Sequence, residues 1–88
     1  MKYLQDPKVA ARMFRGEAAL IPPSDRQITV LDPIATEIWS LCDQPRSLEE
    51  ICAALEEHYD AALEEIRRDT SELLDQLLEI GALQRLAD

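Results

Sequence analysis

A chain of 88 residues with a formal net charge of −9 at pH 7 can form one domain with a modest core, and is too short for an enzyme with a deep substrate cavity. No apolar run reaches the roughly 20 residues that span a bilayer, and the start of the chain leads into no signal-peptide core. We therefore expect a single cytoplasmic domain, residues 1–88, with no membrane partner. Cys42 and Cys52 lie outside a CxxC spacing and are expected to be reduced thiols.

The negative charge is concentrated in the second half of the chain. Residues 1–48 hold six acidic and six basic side chains, whereas residues 49–88 hold twelve acidic side chains and three arginines. Two interpretations remain open. The acids form the solvated faces of helices, or they favour a basic partner.

The first third of the chain predicts a three-stranded antiparallel meander. Residues 1–7 are expected to be a loose lead-in. Strands over residues 9–14 and 17–21 bracket Gly16, which can take the positive φ of a hairpin turn. A third strand is predicted over residues 26–31, after two prolines that cannot donate to a strand ladder.

The remainder of the chain predicts helices with clear start signals. Asp32 followed by Pro33 predicts one helix start, and the capping box of Ser47 and Glu50 predicts another. Gly81 is expected to end the last helix in a left-handed conformation. The three predicted helices cover residues 33–41, 48–59 and 63–80. Residues 82–86 are left as either a short strand or an extended tail.

The third predicted helix carries a wide apolar stripe. Its main line is Ile66, Thr70, Leu73, Leu77 and Ile80. Leu74 and Leu78 lie about 100° round the helix from Leu73 and Leu77. Part of this helix is therefore expected to face something other than its own core.

Few residues suggest catalytic chemistry. The one histidine, His58, lies six residues from Cys52 on a predicted helix, which places the two on opposing sides. It is expected to be exposed at the helix end. No metal constellation or phosphate-binding glycine loop is found, so we expect no catalysis and no cofactor. Trp39 is predicted to anchor the core rather than to form a ligand platform.

Four segments occur in an order and spacing typical of one protein family. They are Leu31-Asp32, Ile38-Trp39, Arg46-Ser47-Leu48-Glu49-Glu50-Ile51 and Leu77-Leu78-Glu79-Ile80-Gly81-Ala82-Leu83. With them the chain resembles the PqqD-like family, the recognition elements for precursor peptides in the biosynthesis of pyrroloquinoline quinone and other ribosomally made, modified peptides. The resemblance extends from the predicted hairpin to Leu83.

The resemblance implies a non-catalytic peptide chaperone with an α+β, winged helix-turn-helix-like fold, a three-stranded N-terminal sheet packed on three helices. Such domains bind the leader segment of a precursor peptide as an added strand beside the third strand, with side chains in a cleft against the third helix. They deliver the leader to a modifying enzyme, often a radical S-adenosylmethionine enzyme. The residues expected to contact the peptide are Gln27, Ile28, Thr29, Val30, Leu31, Arg67, Arg68, Leu74 and Leu78. We expect a monomer or weak dimer.

The two arginines have two interpretations. Arg67 and Arg68 could pair with acidic leader residues. Alternatively, they could pair with acids of their own helix, namely Glu64, Glu65, Asp69 and Glu72.

A winged-helix regulatory or protein-interaction domain is the alternative function. Binding to DNA would require neutralisation of phosphates. The third predicted helix holds six acids and only two arginines. It would repel a duplex, so no nucleic-acid partner is expected.

Overall fold

The structure is a computed structural model that describes residues 1–21 and 27–87. The elements in chain order are β1 (Lys2–Gln5), β2 (Ala10–Phe14), β3 (Glu17–Ile21), β4 (Thr29–Val30), α1 (Pro33–Leu41), α2 (Leu48–Glu56), α3 (Leu63–Glu79) and β5 (Leu83–Leu86). The fold is therefore a mixed α+β arrangement. Its strands form two antiparallel sheets, one with two strands and one with three. None of the helices in the described ranges has both the length and the apolar character needed to cross a membrane.

The three-stranded sheet has the order β2-β3-β4. Arg15 and Gly16 connect β2 to β3 with φ values of 56° and 81°. Two successive positive φ values are typical of a type I′ turn, whose twist matches that of the flanking strands. In β3, Ala18 and Leu20 have no exposed surface. They therefore define the inner face of the sheet.

β4 is shorter than the predicted strand over residues 26–31, of which residue 26 lies outside the described residues. The Thr36 hydroxyl explains why the ladder stops. It accepts a hydrogen bond from Ala18 N (2.9 Å) and donates one to Leu31 O (3.2 Å). A side chain from α1 thus replaces the direct hydrogen bond from Ala18 N to Leu31 O, at the point where the chain passes from the sheet into the helix.

The lead-in predicted for residues 1–7 is a strand instead. β1 pairs antiparallel with β5, with Tyr3 opposite Arg85. The other edge of β1 contacts the connection between α1 and α2, where Tyr3 exchanges main-chain hydrogen bonds with Arg46 (2.7 and 3.1 Å). β1 therefore forms through contacts with distant segments. Of the two possibilities for residues 82–86, the strand is correct.

Local capping bonds fix the starts of α1 and α2. Asp32 Oδ1 accepts a hydrogen bond from Ala35 N (2.7 Å), and proline occupies the first turn of α1. Ser47 Oγ accepts from Glu50 N (3.1 Å), while Glu50 Oε1 accepts from Ser47 N (2.9 Å). This capping box satisfies two donors that the helix itself leaves free.

The helix ends differ slightly from the predicted bounds. α2 ends at Glu56 instead of residue 59, because two successive amides, those of His58 and Tyr59, both donate to Leu55 O. α3 ends at Glu79 rather than residue 80. Gly81 (φ 80°) reverses the chain so that the next amide donates to Leu77 O (2.8 Å), the pattern of a Schellman motif.

One core joins the inner face of β3 to the three helices. Its largest fully buried side chains are Leu20, Ile51, Leu55, Leu74, Leu77, Thr70, Cys42 and Cys52. Trp39 belongs to the same cluster, as predicted. Both cysteines are free.

Candidate functional site

The outer edge of β4 is one half of the candidate site. Within the described residues, β4 pairs only with β3. Leu31 N donates to Ala18 O (2.8 Å), and strand residues direct their main-chain groups alternately to either side. Thr29 and Leu31 therefore direct these groups toward β3, and Val30 directs its own toward the open edge.

A groove between α1 and α3 is the other half, and we call it the α1–α3 groove. Its volume is about 400 Å³. The chain runs from β4 directly into its wall, because Asp32 lines the groove. The apolar lining comes from Ile34, Ala35 and Ile38 of α1, Leu55 of α2, Tyr59 and Ala61 of the following connection, and Ile66 and Leu73 of α3.

The charged side chains of the α1–α3 groove are all acidic. They are Asp32, Glu65 and Asp69, and none of the described lining residues is basic. Arg68 Nε lies 3.5 Å from Asp69 Oδ1, but both side chains are about two-thirds exposed. Exposed pairs of this kind contribute little free energy, so Arg68 only partly offsets the charge of Asp69.

A small polar cluster lies where α1 meets the end of α2. The Tyr59 hydroxyl donates to Glu37 Oε1 (3.3 Å), and His58 Nε2 contacts Glu37 Oε2. Burial, then the charges of Glu37 and Asp32, raise the pKa of Tyr59. His58 is half exposed, as expected from its place at a helix end. The sequence did not predict its contact with Glu37, 21 residues away, because only the packing of α1 against α2 brings the two side chains together.

The structure places Leu74 and Leu78 away from the α1–α3 groove. Leu74 has no exposed surface and Leu78 packs against the core. Leu73, assigned to the core stripe by the sequence, packs against the core and also lines the groove. The apolar stripe is wide enough to allow either orientation, and the packing of α3 on α2 selects this one.

Arg67 also lies away from the groove. Its guanidinium donates to Glu49 Oε1 of α2 (3.1 Å) rather than to an acid of its own helix. The pKa of Glu49 is lowered, first by the backbone hydrogen bond that its carboxylate accepts at the start of α2 and then by Arg67. Of the two arginines, only Arg68 pairs within α3.

Comparison with known proteins identifies the family. A model of the family described as coenzyme PQQ synthesis protein D (PqqD) matches residues 17–83, more than half of the chain. The chain belongs to the PqqD family. The matched range contains β3, β4 and all three helices, and hence both halves of the candidate site. β1 and β2 precede it.

Two solved structures are similar to this PqqD family member over almost its whole length. One, described as TbiB1 in complex with the TbiA(beta) leader peptide, has a TM-score of 0.85 at 25% identity, covering 97% of this chain and 99% of that chain. The other, described as lasso peptide synthetase B1 complexed with the leader peptide, has a TM-score of 0.83 at 16% identity, covering 97% and 100%. At 16% identity, the lasso peptide synthetase B1 structure shows a shared fold and nothing further. No curated protein matches the sequence.

Proposed function

We propose that the protein binds the leader of a ribosomally made precursor peptide as a strand added to β4, and presents it to a modifying enzyme without chemistry of its own. The observation that carries this proposal is the open edge of β4, which continues at Asp32 into the α1–α3 groove. An exposed edge offers main-chain hydrogen bonds for affinity, and an adjoining groove offers side-chain selectivity.

Membership of the PqqD family and the two similar structures support the proposal. Both structures are described as complexes with a leader peptide. In this chain, Val30 would supply a main-chain donor and acceptor for the guest strand. Arg67, Leu74 and Leu78 are not part of the proposed contact, because they face α2 or the core.

The partners follow from the family. The modifying enzyme is proposed to be a radical S-adenosylmethionine enzyme, in the pyrroloquinoline quinone pathway or a related one. Two buried free cysteines suit the reducing conditions of the cytoplasm. A precursor reading frame and a gene for such an enzyme beside this one would support both assignments.

The overall arrangement is proposed to be winged helix-turn-helix-like, with the β2–β3 hairpin as the wing. The acidic surface of α3 favours a peptide over DNA as the partner. This arrangement therefore supports the peptide-binding proposal and does not by itself call for a regulatory function.

Titration of isotope-labelled protein with the leader of the neighbouring precursor tests the function. We expect amide shifts in residues 27–31 and in the groove-lining part of 63–78, with much smaller shifts in β1 and β5. The Val30→Pro variant serves as control, since it removes one donor from the open edge and should lose the shifts. Shifts confined to the loop around Pro45, or an unchanged response of the Val30→Pro variant, would refute strand addition at β4.

A further inference from the structure

We propose, on the basis of the function proposed above, that the α1–α3 groove selects basic leaders: an apolar side chain with lysine or arginine two positions before or after it. The apolar side chain would enter the groove. The basic side chains would pair with carboxylates at its rim. The sequence had suggested acidic leader residues opposite Arg67 and Arg68, and the structure favours the opposite charge.

The floor of the groove explains the apolar anchor. Ile34, Ile38 and Leu73 contribute aliphatic side chains from two different helices. Ile34 is about half exposed in the free protein, so a guest side chain would cover apolar surface that water now contacts. A volume of about 400 Å³ accommodates one large aliphatic or aromatic side chain.

The carboxylates at the rim of the groove explain the preference for basic residues on either side of the apolar one. Asp32, Glu65 and Asp69 contribute three carboxylates. Within the described residues, Arg68 is the one basic residue seen in an ion pair with any of them. The N-terminus of α3 adds about half a positive charge from the helix dipole, which Glu64 and Glu65 already offset in its first turn. The remaining field is negative, and it repels a leader with acidic residues at this point.

The spacing of two positions between the apolar and the basic leader residue follows from strand geometry. Alternate residues of a strand project to the same face, so a guest strand beside β4 places residues i and i+2 on one face. The inner face of β4 carries Thr29 and the buried Leu31, and the next residue along the chain, Asp32, lines the groove. The intervening guest side chains would lie beside Ile28 and Val30, which are 61% and 64% exposed, so neutral or apolar residues suit those positions.

Peptide display on the intact protein tests the proposal. A library of random dodecapeptides would be selected in parallel on the wild-type protein and on the Val30→Pro variant. Among peptides retained by the wild type only, we expect enrichment of lysine or arginine two positions from an apolar residue. Peptides that depend on Val30 but are acidic or uncharged at those positions would overturn the charge preference alone. A selection in which no peptide depends on Val30 would overturn strand addition, and the preference with it.

A matched pair of variants tests the rim directly. Glu65→Gln/Asp69→Asn removes two groove carboxylates, and Asp75→Asn/Glu79→Gln removes two acids from α3 that lie outside both the groove lining and the first turn. For a selected basic peptide, we expect the first variant to weaken binding about threefold to tenfold at 50 mM salt, and the second less than twofold. The difference should shrink at 300 mM salt because exposed charges are screened. Equal losses in the two variants would overturn the role of the rim.

Discussion

Trp39 is buried in the core, yet its indole Nε1 has no hydrogen-bond partner among the described residues. We expect Trp39→Ala to lower the free energy of unfolding by about 3 to 5 kcal/mol through the cavity that it leaves. Trp39→Phe should cost less, because it also removes a buried donor whose unsatisfied state costs about 1 to 3 kcal/mol. Urea denaturation of the three proteins measures both effects.

The comparison also distinguishes the two interpretations of this tryptophan. A Trp39→Ala protein that keeps wild-type stability but no longer binds the leader would place Trp39 in the binding site. Loss of stability in Trp39→Ala, with leader binding retained by Trp39→Phe, would agree with the position in the core.

Burial raises the pKa of the Cys42 thiol from 9.0 to about 11, with a smaller lowering effect from Arg46 and a raising effect from Asp43. Between these two values the unfolded chain loses a proton that the folded protein keeps. The free energy of unfolding should therefore fall as the pH rises from 9 to 11, by about 2 kcal/mol from this group.

The Cys42→Ala variant isolates this contribution. Urea denaturation at pH 8, 9 and 10 should show a shallower decline in the free energy of unfolding for the variant than for the wild type. This holds whatever the difference in stability between the two proteins at pH 8. The raised pKa of Tyr3 gives both proteins a further decline above pH 10. Identical slopes between pH 8 and 10 would contradict the effect of burial on Cys42.

At the scale of the element, the register of β4 determines whether a proline substitution weakens the sheet or prevents addition of a guest strand. Thr29 is paired with Leu20 and directs its amide toward β3, so Thr29→Pro should remove a ladder bond and weaken the fold. Val30 directs its amide outward, so Val30→Pro should leave stability nearly unchanged and abolish leader binding. Thermal denaturation and peptide affinity together separate the two effects. A folded Val30→Pro protein with wild-type affinity would exclude the guest strand from this edge.

Elements with local signals were predictable from the sequence. α1 and α2 begin where the cap residues Asp32 and Ser47 predict, because a cap acts over three residues of chain. β1 was missed because its partners, β5 and the Arg46 segment, lie far along the chain. No periodicity in four residues encodes such a pairing.

The candidate site was only partly predictable for a similar reason. The open edge at Thr29 and Val30 follows from strand order, which the hairpin and the prolines suggest. Whether Leu73 or Leu74 faces the groove depends on a rotation of α3 by about 100°. Both residues fit the helical period, and only the packing of α3 against α2 decides between them.

At the scale of the whole molecule, the charge distribution opposes DNA binding, the activity that the winged-helix alternative would require. A winged helix that binds DNA neutralises several phosphates with basic side chains. Here α3 carries six acids and two arginines, and Arg67 is paired with Glu49. The acids also repel a duplex at distances within the Debye length, about 8 Å at physiological salt.

We therefore expect no sequence-specific DNA binding at about 150 mM salt. Fluorescence anisotropy with labelled duplexes of mixed sequence should stay flat, whereas a labelled leader in the same buffer should show saturable binding. Lowering the salt to about 20 mM lengthens the Debye length and should leave the duplex unbound, because the net charge of the protein is −9. A complex with DNA that resists an excess of unrelated competitor would show that the hairpin and the neutral N-terminal half bind a duplex despite α3, and would restore the regulatory alternative.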